Sequence, residues 1–143
     1  MFQRMDHVGL SVKNMEKAIS FYRDMIGMEK VLDRYFDIGL EKIIGEKGAK
    51  ARIVHMRLQD SMVELFDYQN PKARPPYQDK SQSDYGLIHI GFMVQDFQKT
   101  YERLKDKGVK FLGEPVEIRT GVHVAYFHGA EFEVCEMREI HSK

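Results

Sequence analysis

Four polar residues stand where a strand would most cheaply carry apolar ones: His7, Glu64, His89 and Glu133. A carboxylate on the buried side of a sheet is costly unless it is paired or bound to a metal. Two imidazoles and two carboxylates on one inner surface would meet that requirement by holding a single divalent ion. Two nitrogens and two oxygens, with room for water, suit Ni, Co, Mn, Fe or Zn, and octahedral coordination is open to them. Unfilled positions would accept substrate oxygens, as a catalytic site requires. Each residue also has a plainer reading. A lone strand histidine usually packs or faces solvent. A glutamate flanked by apolar residues is usually the outer face of an alternating strand, as expected for Glu131 and Glu136.

What weighs against the plainer reading is repetition. Asp6-His7-Val8-Gly9-Leu10-Ser11-Val12 is echoed by Ile88-His89-Ile90-Gly91-Phe92-Met93-Val94, each with a histidine two residues before a glycine. A shift of 82 residues carries His7 onto His89, Gly9 onto Gly91, Val12 onto Val94 and Lys17 onto Lys99. Such self-similarity marks a duplicated unit. Near the ends of the copies, Val63-Glu64-Leu65-Phe66 matches Phe132-Glu133-Val134-Cys135 at an offset of 69. His55, His123, His128 and His141 have no repeat partner. His141 is expected to be solvated, and His55 and His123 to lie in the core or at the surface, with the pocket wall as the lesser alternative. Cys135 is expected to be an inert core residue.

The elements that must position these groups follow from periodicity. Residues 5–12 alternate, with His7, Gly9 and Ser11 on one face and Val8, Leu10 and Val12 on the other. Asn14 is an N-cap for a helix with Met15, Ala18, Ile19, Tyr22, Met25 and Ile26 on its inner face, and Gly27 ends it. Residues 29–36, 51–58 and 62–68 read as strands, with one helical turn at Leu40–Ile44 in an otherwise glycine-rich loop. Residues 69–84, with Pro71, Pro75 and Pro76, read as the linker between copies. The second copy repeats the order. A strand at 85–94 leads to Asp96 as N-cap and a helix facing inward with Phe97, Thr100, Tyr101 and Leu104. Strands are predicted at 109–112, 121–127 and 131–137. Each copy is therefore β-α-β-β-β, an α+β arrangement.

Composition limits the partners. The 143 residues carry 22 basic and 22 acidic side chains, so no basic field invites nucleic acid or an anionic membrane. No apolar run approaches the roughly 20 residues of a membrane helix, and Met1–Met5 contains no signal-peptide core. The single cysteine, Cys135, excludes an intrachain disulfide, and a cytoplasmic location is expected.

With these motifs in place, the chain resembles the vicinal oxygen chelate superfamily, which includes glyoxalase I, methylmalonyl-CoA epimerase, extradiol dioxygenases and fosfomycin-resistance enzymes. The resemblance rests on Asp6–Val12, Ala18–Tyr22, Gly27-Met28, Met62–Phe66, Gly86–Phe92 and Gly129–Val134, and it covers nearly the whole chain. It implies two tandem βαβββ modules (about 1–68 and 85–143, linker 69–84) within one domain, their curved mixed sheets pairing around a metal-binding cleft. It implies His7, Glu64, His89 and Glu133 as ligands of a divalent metal ion. It also implies bidentate chelation of vicinal oxygens on a small-molecule substrate, and assembly as a homodimer. In the glyoxalase-like case a metal-bound glutamate moves a proton between adjacent carbons, a role that falls to Glu133 first and Glu64 second. The expected activity is a metal-dependent lyase or isomerase resembling glyoxalase I (lactoylglutathione lyase). The alternatives are a methylmalonyl-CoA epimerase-like enzyme, an extradiol-type dioxygenase, and a metal-free drug-binding resistance protein. Arg74, Tyr77 and Lys80, with the loop Gly39–Gly48, are expected to be an ordinary solvated linker and loop; the lesser alternative is a pocket rim and lid, where Arg74 would suit an anionic group.

Overall fold

The computed structural model describes residues 1–75 and 81–141. The chain forms two compact units, Met1–Pro75 and Pro76–Lys143. Each contains one four-stranded mixed sheet, and the two sheets share a topology.

In unit one, β1 (His7–Ser11) runs parallel to β4 (Ser61–Asn70). β3 (Lys50–Leu58) lies antiparallel between β4 and β2 (Glu29–Phe36), giving the order β1-β4-β3-β2. A parallel pair needs a crossover, and α1 (Met15–Phe21) with a π-helical turn at Tyr22–Ile26 begins it. The Asn14 side chain accepts the Lys17 N–H at 3.0 Å, as its N-cap position predicts. Gly27 ends the helix at φ 86°, a left-handed conformation that glycine adopts without a Cβ penalty. Met15, Ala18, Ile19 and Tyr22 are buried, as are Val54, Met56, Val63 and Leu65 of the sheet. The opposite face carries a smaller apolar cluster, in which Leu40 of α2 (Leu40–Ile44), Ala49, Ala51 and Ile53 pack with Phe36, Phe66 and Tyr68.

Unit two repeats the pattern as β5 (Ile90–Met93), α3 (Phe97–Asp106), β6 (Val116–Arg119), β7 (Val122–His128) and β8 (Val134–Ile140), in the order β5-β8-β7-β6. Phe97, Leu104, Ala125, Phe127, Cys135 and Met137 are buried. Cys135 is thus a core residue, as its flanking pattern suggests.

The structure corrects three sequence expectations. The strand expected at 85–94 covers only β5, Ile90–Met93. The strand expected at 109–112 is only a single bridge, Phe111 to Phe127, and the edge strand is β6 instead. The last strand begins at Val134, not at residue 131, because residues 129–133 form the connection from β7. Register follows from these limits. Glu64 lies opposite Gly9, and Glu136 lies opposite Gly91. The true repeat partner of Glu64 is therefore Glu136, and Glu133 falls outside the ladder.

Candidate metal centre

In unit one the register collects His7, His55 and Glu64 on one face. Gly9 and His55 are both ladder partners of Glu64, and His7 alternates with Gly9 along β1. The Glu64 carboxylate, only 15% exposed, has an imidazole at each oxygen. His55 Nε2 lies 3.0 Å from Oε1, and His7 Nε2 lies 3.3 Å from Oε2. His7 Nδ1 lies 3.1 Å from Asp6 Oδ2. With the Nδ1–H donated there, the Nε2 lone pair faces Glu64. Metal-binding histidines are commonly oriented by a carboxylate in this way. The same hydrogen bond, more than the charge of Arg4, holds the Asp6 carboxyl below its ordinary pKa.

Unit two provides a second pair. His89, immediately before β5, directs Nε2 to Glu136 Oε2 at 3.5 Å. Glu136 is 13% exposed, so it is not the outer-face residue that local alternation suggests. His89 Nδ1 is buried without a hydrogen-bond partner. The His89 ring meets Tyr126 edge-on at 5.0 Å. Burial, reinforced by the charge of Glu136, raises the Tyr126 phenol pKa. The glycine two residues after the histidine has a physical reason in this unit. A Cβ on Gly91 would stand 3.0 Å from Glu136 Oε2, a contact tight enough that the carboxylate would have to shift by a few tenths of an ångström.

Glu133 performs another task. Its Oε1 accepts the Ala130 N–H at 2.7 Å, and its Oε2 accepts from Glu131 and Phe132 at 3.3 and 3.2 Å. The carboxylate folds over the turn so closely that any Cβ on Gly129 would collide with it. The sequence match of Phe132-Glu133-Val134-Cys135 to the first copy is local likeness without shared register. His55 is a site residue that the repeat does not mark, although its position is recoverable. The two-residue turn at Gln59-Asp60 pairs Leu58 with Ser61, and counting back along that ladder sets His55 against Glu64.

The donors suit a divalent transition ion. Each unit aims an imidazole Nε2 at a largely buried carboxylate, and nitrogen with oxygen donors is the set such ions take. Unit one also has a recess of about 630 Å³ bordered by Ser11, Ile44, Tyr68, Lys72 and Arg74. Arg74 and the end of the α2 loop border this recess, whose lining includes none of His7, His55 and Glu64, while Tyr77 and Lys80 lie outside the described residues.

A model of the Glyoxalase/Bleomycin resistance protein/Dioxygenase superfamily matches residues 4–133, and the chain belongs to that superfamily. It is 33% identical over 121 residues to a 2-epi-5-epi-valiolone epimerase from Actinomyces sp, covering 80% of this chain and 65% of that protein. It is 28% identical over 140 residues to the ethylmalonyl-CoA/methylmalonyl-CoA epimerase of Cereibacter sphaeroides, covering 94% and 95% of the two chains. The fold matches that of a glyoxalase family protein from Bacillus cereus with a TM-score of 0.89 at 22% identity, over 99% of this chain and 97% of the other.

Proposed function

We propose that this chain is a divalent-metal-dependent isomerase or lyase of the glyoxalase type, which moves a proton on a carbon next to a chelated oxygen. The observation that carries the reading is the paired geometry: His7 with Glu64, and His89 with Glu136, at matching positions of two repeated sheets. In this proposal His7, Glu64, His89 and Glu136 are the metal ligands, with Glu136 replacing Glu133. The ion, when bound, would supply Lewis-acid polarisation of vicinal substrate oxygens and so acidify the adjacent C–H.

The chain's own groups divide the remaining work. Asp6 fixes the tautomer of His7, and His55 holds Glu64 Oε1. Each Glu64 oxygen has an imidazole nitrogen beside it, whereas in Glu136 only Oε2 has one, that of His89. Glu136 is accordingly assigned the proton transfer, taking the proton at Oε1 and returning it to carbon, and Glu64 is assigned to the fixed ligand set. Arg138 alternates with Glu136 on the same strand face, and its buried Nε has no hydrogen-bond partner. It suits an anionic substrate group, as do Lys72 and Arg74 at the unit-one recess. The epimerase form of this chemistry is favoured by the two relatives named above, both epimerases by name.

The test is solvent-deuterium incorporation followed by proton NMR. Methylmalonyl-CoA, the methylglyoxal–glutathione hemithioacetal and 2-epi-5-epi-valiolone would be offered to metal-loaded protein in deuterated buffer. The proposal expects metal-dependent exchange at the acidic carbon of one of them, abolished in Glu136→Gln. Exchange that survives Glu136→Gln, or no exchange with any of the three, would contradict it.

A further inference from the structure

The helix-covered face of sheet two carries a second cluster. His123 of β7 and Glu139 of β8 are ladder partners. They lie on the opposite side of the sheet from Tyr126 and Glu136, because each is an odd number of residues away. His141 follows β8, and its Nε2 sits 3.0 Å from Glu139 Oε2. One ligand atom from each of the three lies within 4.8 Å of the others. The imidazoles of His123 and His141 meet edge-on at 5.9 Å. His123 Nδ1 is buried and has no hydrogen-bond partner. Glu139 is held in place from behind, since its Oε1 accepts the Asp96 N–H at 2.7 Å, which leaves Oε2 for the cluster. The three line an open recess of about 460 Å³ beside the start of α3.

The repeat shows what that place holds in the other unit. Arg52 and Asp67 are the ladder partners in unit one on the corresponding face. There the Arg52 guanidinium sits between acids, with Nε 2.8 Å from Asp33 and Nη1 2.6 Å from Glu16 of α1. A cation thus ties sheet to helix in unit one. In unit two the arginine is replaced by histidine, and a second histidine and a glutamate converge on it.

We propose that His123, Glu139 and His141 form a second metal site, binding a borderline divalent transition ion such as Zn²⁺ that pins the chain after β8 to the sheet and to the start of α3. Two imidazoles and one carboxylate are a familiar donor set for zinc, with a further position open to water. The Asp96 N–H that orients the Glu139 carboxylate is the kind of outer support that metal ligands need. The site is distinct from the proposed catalytic centre and lies wholly within unit two.

The probe is Zn²⁺ alone, titrated calorimetrically into apo-protein carrying Glu64→Gln and His89→Ala, which disable the first site. About one equivalent is expected per chain. Adding His141→Ala is expected to abolish it, or to weaken it beyond the roughly 10–100-fold loss typical of removing a group that only orients a ligand. His141 is exposed, so its removal is expected to leave the thermal midpoint in chelator unchanged while the zinc-dependent rise disappears. In the otherwise native chain, His141→Ala is expected to remove one equivalent and leave the other. Unchanged stoichiometry and affinity on adding His141→Ala, or no zinc uptake by the Glu64→Gln/His89→Ala chain, would overturn the proposal.

Discussion

Glu136 presents a carboxylate to His89, whereas Glu133 commits both its oxygens to the N–H groups of Ala130, Glu131 and Phe132. The two substitutions are therefore expected to separate. Glu133→Ala strips three donors of a charged acceptor. It is expected to cost about 1–3 kcal/mol, read as a lowered thermal midpoint, with metal uptake retained. Glu136→Gln is expected to leave stability largely intact and to remove metal and activity together. The opposite pattern in parallel melts and metal analyses would restore Glu133 as the ligand. The neighbours His7 and Glu64, and the position of His89, follow motifs that repeat in the sequence. The match of Glu133 to Glu64 fails in register because a glutamate between apolar residues looks alike in a strand and in a turn. Only ladder register distinguishes them, and register depends on where the β7–β8 connection ends. Glu136 is concealed by alternation, which gives the period of a strand but not which side is covered.

Elements position these residues with unequal tolerance. A Cβ at Gly91 would meet Glu136 Oε2 at 3.0 Å, while at Gly9 the nearest atom is Phe66 Cε2 at an ordinary 3.6 Å. Gly91→Ala is expected to displace the carboxylate and weaken metal binding about 10–100-fold, as losses of orienting structure do. Gly9→Ala is expected to be the milder change, and metal titrations of the two variants compare them directly. In unit one, Arg52 joins β3 to Asp33 of β2 and Glu16 of α1. The Arg52 hydrogen bonds, with help from Lys30, hold the Asp33 carboxyl far below its ordinary pKa. Because the folded-state pKa is lowered, the stabilisation is present above the unfolded value of about 3.9 and is lost as pH falls below it. Denaturation at pH 6 and pH 3 is expected to show an acid-side loss that Asp33→Asn reduces. Arg52→Ala is expected to cost about 1–3 kcal/mol at neutral pH, since it removes charged hydrogen bonds to Asp33 and Glu16 and leaves Asp33 with Lys30 alone. Most elements are legible from period and caps, including β2 and α2 at their full extents. β6 is not. Its four residues are all exposed, so no buried face marks it, while Val109–Leu112 is more apolar and makes only one bridge.

The whole molecule is a duplication in which each βαβββ unit supplies a histidine, a glutamate and the helix that backs its sheet. No helix among the described residues is long and apolar enough to cross a membrane. We propose, as the family resemblance implies, that the chain assembles as a homodimer. Sedimentation is expected to give about twice the 16.8 kDa chain mass, and a monomer at micromolar concentration would refute that assembly. The claim on which the function rests is that the ligands of each unit are needed for metal binding. The measurement that tests it is metal content by mass spectrometry, on protein purified without a metal-binding tag and carrying His141→Ala so that the second cluster does not contribute. About one transition ion per chain is expected, lost in Glu64→Gln and lost equally in His89→Ala, though each alters only one unit. Retention of the ion in either variant, or its absence from the parent even after titration with Ni, Co, Mn, Fe or Zn, would contradict the account.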